Sequence, residues 1–195
     1  MVIEGAFAAF VERGFMGASI DFICSKAGLS RGAFYSNFAD KNELFVALYE
    51  RQAERLRSRL ATGTNSLDQG GDLLDQVSRI LAVRDEDEFH WDIINKEFVI
   101  HALRNEDARR TLVALRAALR SDLREILDTT FSIIGVRPPG DLDEVARLAV
   151  AIHEGDMTQR GLESAARGNR PLIVRFLPAI LSALQEVDDR RNHDT

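Results

Sequence analysis

The chain has 195 residues, 45% of them hydrophobic and 29% charged, with a formal net charge of −6. This is the composition of a soluble globular protein with enough apolar side chains for a sizeable core. No run of about 18 apolar residues is present to span a membrane, and Met1-Val2-Ile3-Glu4 is not the basic start of a signal peptide, so no membrane partner and a cytoplasmic location are expected. Cys24 is the single cysteine, which excludes intrachain disulfides and thiolate metal clusters and leaves a buried, small apolar role.

The charge is unevenly spread. Residues 1–60 hold eight basic and seven acidic groups, and the remainder seventeen and twenty-four. The sign suits a nucleic-acid-binding amino-terminal segment, but the asymmetry is too small to argue that function by itself.

In chain order, the pattern is helical nearly throughout, because four prolines and the lack of alternating β-branched runs leave little for strands. Ile3, Ala6, Phe7 and Phe10 recur at helical spacing and predict a first helix from about Val2 to Arg13, with Gly14 as a left-handed cap. Ser19 caps a second helix whose inner side is Ile20, Ile23, Cys24 and Ala27, and Gly28 stops it. Ser30 caps a short third helix with Phe34 and Phe38 inward. Asp40 caps a long fourth helix reaching about Leu60, apolar at Leu44, Phe45 and Leu48. The segment Thr62 to Gly71 is rich in Gly, Ser, Thr and Asn and reads as a domain boundary. Helices follow near 72–83, 87–104, 106–134, 142–166 and 171–187. Breakers lie at Gly135–Gly140 and Arg167–Pro171, and Pro178 is expected to kink the last helix or move its start. The tail from Asp188 is polar and expected to fray.

The first three helices have the layout of a helix-turn-helix, with Ala27-Gly28-Leu29-Ser30 as the turn and the third helix as the element that enters a DNA major groove. Phe34 and Phe38 belong to the core, so Arg31, Gly32, Tyr35 and Ser36 lie on other faces, with Ala33 and Asn37 at the edges. Arg31 suits a phosphate or a bidentate contact to guanine. Gly32 and Ala33 are small enough for close backbone approach. Tyr35 carries a phenol on a rigid arm, suited to a phosphate oxygen. Ser30, Ser36 and Asn37 offer short hydrogen bonds, and Lys41 and Ser19 stand at helix starts that favour phosphate.

Phe10-Val11-Glu12-Arg13-Gly14-Phe15, Ser19-Ile20-Asp21-Phe22-Ile23, the run Ala27 to Phe38, and Lys41 with Leu44-Phe45 resemble the tetracycline-repressor (TetR) family. Some 45 residues agree in order and spacing, and the remaining 140 or so only in helical layout. The resemblance implies that Ser30 to Asn37, Tyr35 and Lys41 have the family's DNA-contact roles. It also implies a homodimer whose last two helices form a four-helix bundle, and a ligand pocket in the larger domain. Two departures are visible. The resemblance starts without the basic extension that usually precedes it, which implies either a start further upstream or a lower affinity. Ser36 stands where histidine is frequent, which shortens one polar contact.

Further along, Trp91, Ile94, Phe98 and His101 share a helix face and, with Phe131, His153 and Met157, are candidates either for an apolar effector pocket or for ordinary core. Asp85-Glu86-Asp87-Glu88 before His90 reads as an acidic helix start rather than a metal site. Leu112, Leu115, Leu119, Leu123 and Ile126 form a core stripe. The wide apolar face of Ile173, Leu177, Ile180 and Leu184, with Val145, Leu148, Ile152 and Gly155, is the expected dimer interface. No catalytic constellation, phosphate-cradling loop or cofactor motif appears.

The sequence thus predicts an all-α chain with a helix-turn-helix head at 1–47, a connector to about 61, and a helical regulatory and dimerisation domain at 72–195. The expected partners are a palindromic double-stranded DNA operator, a second copy of the chain and a fairly apolar small-molecule effector. The alternative is a ligand- or protein-binding module of the same fold with weak or lost operator binding. An enzyme acting on a small apolar substrate is a distant third, for want of any nucleophile or acid–base pair.

Overall fold

The computed structural model describes residues 2–65, 86–134, 138, 140–163, 171–176, 179–180 and 183. Among the described residues the seven principal elements are all helices: α1 (Val2–Gly17), α2 (Ile20–Ala27), α3 (Arg31–Tyr35), α4 (Lys41–Asn65), α5 (Glu86–Arg104), α6 (Glu106–Ile134) and α7 (Leu142–Leu162). Residues 172–176 are also helical, and no strand occurs among the described residues. The helix predicted near 72–83, Arg167–Arg170, Pro178, the tail, and residues 135–137 and 139 of the Gly135–Gly140 breaker lie outside the described residues.

The helix boundaries follow the local chemistry. Ser19 and Ser30 are extended N-caps whose hydroxyls accept from the backbone N–H of Phe22 at 3.2 Å and of Ala33 at 3.1 Å. Each satisfies an amide that has no partner inside its own helix. Asp40 Oδ1 accepts from the N–H of Asn42 at 2.8 Å and of Glu43 at 2.9 Å, while Glu43 Oε2 reaches back to the N–H of Ala39 at 2.5 Å. Gly28 closes α2 in the left-handed region at φ 66°, ψ 34°, and the N–H of Leu29 then reaches the Cys24 carbonyl at 2.9 Å.

Two boundaries differ from expectation. Gly14 interrupts α1 at φ 70°, ψ 166°, which is not the left-handed cap predicted, and helical backbone resumes to Gly17. The Phe15 N–H, freed by the kink, donates to a Glu97 carboxylate oxygen. α4 runs on through Thr62-Gly63-Thr64-Asn65, because Thr62 Oγ1 donates to the Ser58 carbonyl at 2.8 Å and Thr64 is buried with its hydroxyl 3.4 Å from that of Thr130. Threonines bonded back to the preceding turn sit comfortably in a helix that composition alone reads as loop.

The chain divides into two compact units, residues 1–55 with 85–117 and residues 56–84 with 118–195. The first joins α5 and the start of α6 to the helix-turn-helix, although the sequence boundary assigned them to a separate domain. The reason is aromatic packing. Phe10, Phe15, Phe34 and Phe45 on the head and Phe98 on α5 are all buried. Phe98 stacks on Phe45 with centroids 3.7 Å apart and planes 6° apart, and meets Phe15 edge-on at 5.0 Å. Each buried ring is worth about 1.5–3 kcal/mol over exposure, which a head of α1–α3 and half of α4 does not capture by itself.

In the second unit, Leu60, Phe131, Met157, Ile173 and Val174 are buried. Ile173 and Val174 pack with Ala149 and Ile152 of α7, and Arg57 Nη1 donates to Asp122 at 3.1 Å. Of the predicted α6 stripe, Leu112 is buried, whereas Leu115, Leu119, Leu123 and Ile126 are half-buried.

Candidate nucleic-acid interface

Phe34 is wholly buried and tilts against the half-buried Phe38 at 5.8 Å. Cys24, buried on α2, donates weakly to the Ser30 carbonyl at 3.8 Å. These contacts fix the roll of α3, so Arg31, Gly32, Tyr35, Ser36 and Asn37 face outward together, with Ala33 half-buried at the edge. The predicted exposed set is therefore contiguous in space. A Cβ on Gly32 would meet only Ser30 Oγ, at 3.8 Å, so nothing inside the chain requires glycine there. Its smallness is free to serve an outside surface.

The polar groups are nonetheless engaged within the chain. Arg31 Nη1 lies 3.1 and 3.2 Å from the two Asp21 carboxylate oxygens, its Nη2 reaches the Tyr35 hydroxyl at 3.5 Å, and the guanidinium sits 5.8 Å from the Tyr35 ring centroid. The hydroxyl and then the carboxylate raise the Arg31 pKa further above its ordinary value. Ser36 Oγ and Asn37 Nδ2 both donate to the Ala33 carbonyl, at 2.9 and 2.8 Å, closing the end of this five-residue helix.

Lys41 is placed differently from the sequence reading. Its ammonium does not stand free at the start of α4 but donates to the carbonyls of Met16 and Ala18, each at 3.2 Å, and lies 4.7 Å from the Phe15 ring centroid. Burial pushes its pKa down, and the nearby Glu97 carboxylate partly offsets this. The charge ties off the end of α1 beside the Gly14 kink.

The candidates for an effector pocket fall in both units. Ile94 and Phe98 are buried in the aromatic core of the first unit, Trp91 stacks on Phe45 at 5.5 Å, and His101 packs on Phe15 at 5.5 Å. The Nε2 of His101 is buried without a hydrogen-bond partner, in a setting of rings rather than at a polar anchor. Ile94 and Phe98 are thus core of the first unit, with the half-buried Trp91 and His101 packed on its rings; their helical spacing fits either role. Phe131 and Met157 are buried and His153 half-buried in the second unit.

The interface candidates divide as well. Val145 and Ile173 are buried inside their own unit, and Ile173 packs with Val174 against Ala149 and Ile152 of α7. Neither side chain offers much surface outside the chain. Leu148, Ile152 and Ile180 are half-buried and Gly155 is exposed. Leu177 and Leu184 lie outside the described residues. Phe176, which widens the apolar face of the carboxy-terminal helix in the sequence, is exposed at 44%, and so is Leu162, at 82%, which the sequence pattern did not single out. Periodicity does not mark Leu162, the last residue of α7.

Residues 2–48 match the family model described as bacterial regulatory proteins, tetR family. The transposon Tn10 TetC protein of Escherichia coli is 34% identical over 76 residues, 39% of this chain and 38% of its own length. The HTH-type transcriptional repressor AcnR of Corynebacterium diphtheriae is 38% identical over 60 residues, 31% of this chain and 32% of its own. The match thus spans well under half of either relative. Among solved structures, Salmonella enterica GusR superposes with a TM-score of 0.70 at 20% identity, over 95% of this chain and 93% of that one. At that identity the likeness establishes the fold.

Proposed function

We propose, for a chain that belongs through its amino-terminal domain to the tetR family of bacterial regulatory proteins, that it is a DNA-binding transcriptional regulator, a repressor by the precedent of its AcnR relatives, which reads a palindromic operator as a homodimer. One observation carries this: a doubly capped α2–turn–α3 unit buries Phe34 and leaves Arg31, Gly32, Tyr35, Ser36 and Asn37 on one outer face. That is the arrangement in which one helix enters the major groove while the preceding helix crosses the backbone. Ser19, Ser30 and the α4 start support phosphate contacts through their helix-terminal amides, with Ala33 at the helix edge.

A second copy is required because a single five-residue helix reads too few bases. Two-fold symmetry sets the recognition helices about 34–36 Å apart, or a multiple of one DNA turn. The surface we assign to the partner copy includes Leu148, Ile152, Gly155, Leu162, Phe176 and Ile180. The effector is a small, fairly apolar molecule held in the second unit near Phe131, His153 and Met157. It acts by preferring one of two conformations that differ in DNA affinity.

The test is selection of duplexes from a random pool by the full chain, followed by gel shift on the enriched sequence. A palindromic product is expected, and Arg31→Ala should weaken binding to it by about 1–3 kcal/mol. Failure to enrich any duplex refutes the reading. It would favour the second reading, a ligand- or protein-binding module of the same fold, which the internal pairing of the head's cations supports.

A further inference from the structure

The described cations on and around the helix-turn-helix already have partners. The Arg13 guanidinium lies 3.7 Å over the Phe22 ring, Lys26 pairs with Glu12 at 2.5 Å, and Arg51 pairs with Glu4 at 2.9 Å. Lys41 is held by two carbonyls. Arg31 alone among them belongs to α3, and its anion, Asp21, is in the first turn of α2 with both oxygens on one nitrogen, Nη1.

This pairing changes what Arg31 does on DNA. A free arginine gains from any phosphate by releasing a condensed counterion. An arginine already seated on a carboxylate exchanges one anion for another and gains little. A guanine edge differs, because O6 and N7 accept two parallel donors. Nε and the second N–H of Nη2 are left to meet them while Nη1 stays on Asp21 and Nη2 keeps its other N–H on the Tyr35 hydroxyl, whose ring lies 5.8 Å from the guanidinium. The cytosine of the same base pair offers its N4 amino group, for which an aspartate is the matching acceptor.

We propose that Asp21 is a specificity-determining residue of DNA recognition: it withholds Arg31 from phosphates and forms with it a donor–acceptor unit complementary to the major-groove edge of one G·C pair. This rests on the operator-binding reading of α3. Both side chains are exposed, at 60% for Arg31 and 65% for Asp21, so substitution at either leaves the core untouched.

The experiment compares the full-length wild type, D21N, R31A and D21N/R31A on the duplex that the wild type enriches and on a scrambled duplex of equal composition, across a salt series. D21N should bind the scrambled duplex about 3–10-fold tighter, with the log–log salt slope steeper by about 0.9, one additional phosphate. Its preference for the enriched duplex should fall about tenfold or more. D21N/R31A should show no such gain over R31A. An equal gain in the R31A background would mean that Asp21 acts only through its own repulsion of DNA, and overturns the proposal. So does an unchanged preference in D21N. If the wild type itself enriches no duplex, the operator reading has failed, a result distinct from either of these.

Discussion

Phe98→Ala tests whether α5 is part of the head. Phe98 is fully buried, stacked on Phe45 at 3.7 Å between centroids and edge-on to Phe15 at 5.0 Å. Truncation removes the ring from three partners at once, because His101 also packs on it at 5.8 Å. Phe15 and Phe45 are themselves buried and engaged with other rings, Phe15 with Phe10 and Phe45 with Trp91 and Tyr49, which limits their collapse into the gap. The loss should fall in the range of about 3–5 kcal/mol observed for buried phenylalanines, a large part of the total stability of a domain. With a urea slope of about 2 kcal/mol per molar, the midpoint should drop by about 1.5–2.5 M. Trp91, the single tryptophan, stacks on Phe45 and meets Tyr49 edge-on at 5.7 Å, so its fluorescence reports this core directly. Leu103→Ala on the same helix is the control, since Leu103 is 75% exposed and its loss should stay within about 0.5 kcal/mol. A Phe98→Ala midpoint within about 0.5 M of wild type, or no larger a shift than Leu103→Ala, would refute the packing argument and return Phe98 to the candidates for a ligand pocket.

Other consequences follow from the same unit. Gly14→Ala should destabilise by about 1–3 kcal/mol, because φ is 70° and the new Cβ would stand 2.6 Å from both Glu97 carboxylate oxygens; a Gly14→Ala protein as stable as wild type in urea would contradict the kink. Lys41 binds its proton less tightly in the folded chain than in the unfolded one, through burial. The unfolded state therefore holds more protons between the lowered folded pKa and the ordinary lysine value, and stability should rise with pH through that window. The rise should be absent from Lys41→Met, and a parallel pH profile for the two proteins would count against the buried ammonium. Tyr35→Phe keeps the ring beneath Arg31 and removes the hydroxyl; a DNA affinity and salt slope identical to wild type would rule out a phosphate role for that oxygen.

Much of the head is legible in the sequence because its signals are local. Ser19, Ser30, Asp40 and Gly28 act within a few residues of themselves, so cap chemistry places α2, α3 and the start of α4 without knowledge of the rest of the chain. The inward position of Phe34 fixes, by helix geometry, which neighbours face out. Arg31 is legible as an outward-facing residue for the same reason. Its occupation by Asp21 was not: the pair is ten residues apart in sequence, on two helices whose relative placement the turn decides.

What remained undetermined was every choice of partner. The face of Trp91, Ile94, Phe98 and His101 has the spacing of a pocket wall and of a core alike, and only the arrival of Phe45 and Phe15 from the amino-terminal helices made it core. Lys41 reads as a phosphate ligand until the Gly14 kink brings the carbonyls of Met16 and Ala18 to its ammonium. Ile173 reads as interface in the sequence; in the fold it packs with Val174 against Ala149 and Ile152 of α7. Sequence by itself determines helices, caps and the outward face of α3, since these depend on backbone hydrogen bonds spanning three or four residues. Which apolar face meets which, and which anion a cation finds, are settled by contacts between residues far apart in the chain, and for these only the tertiary structure decides.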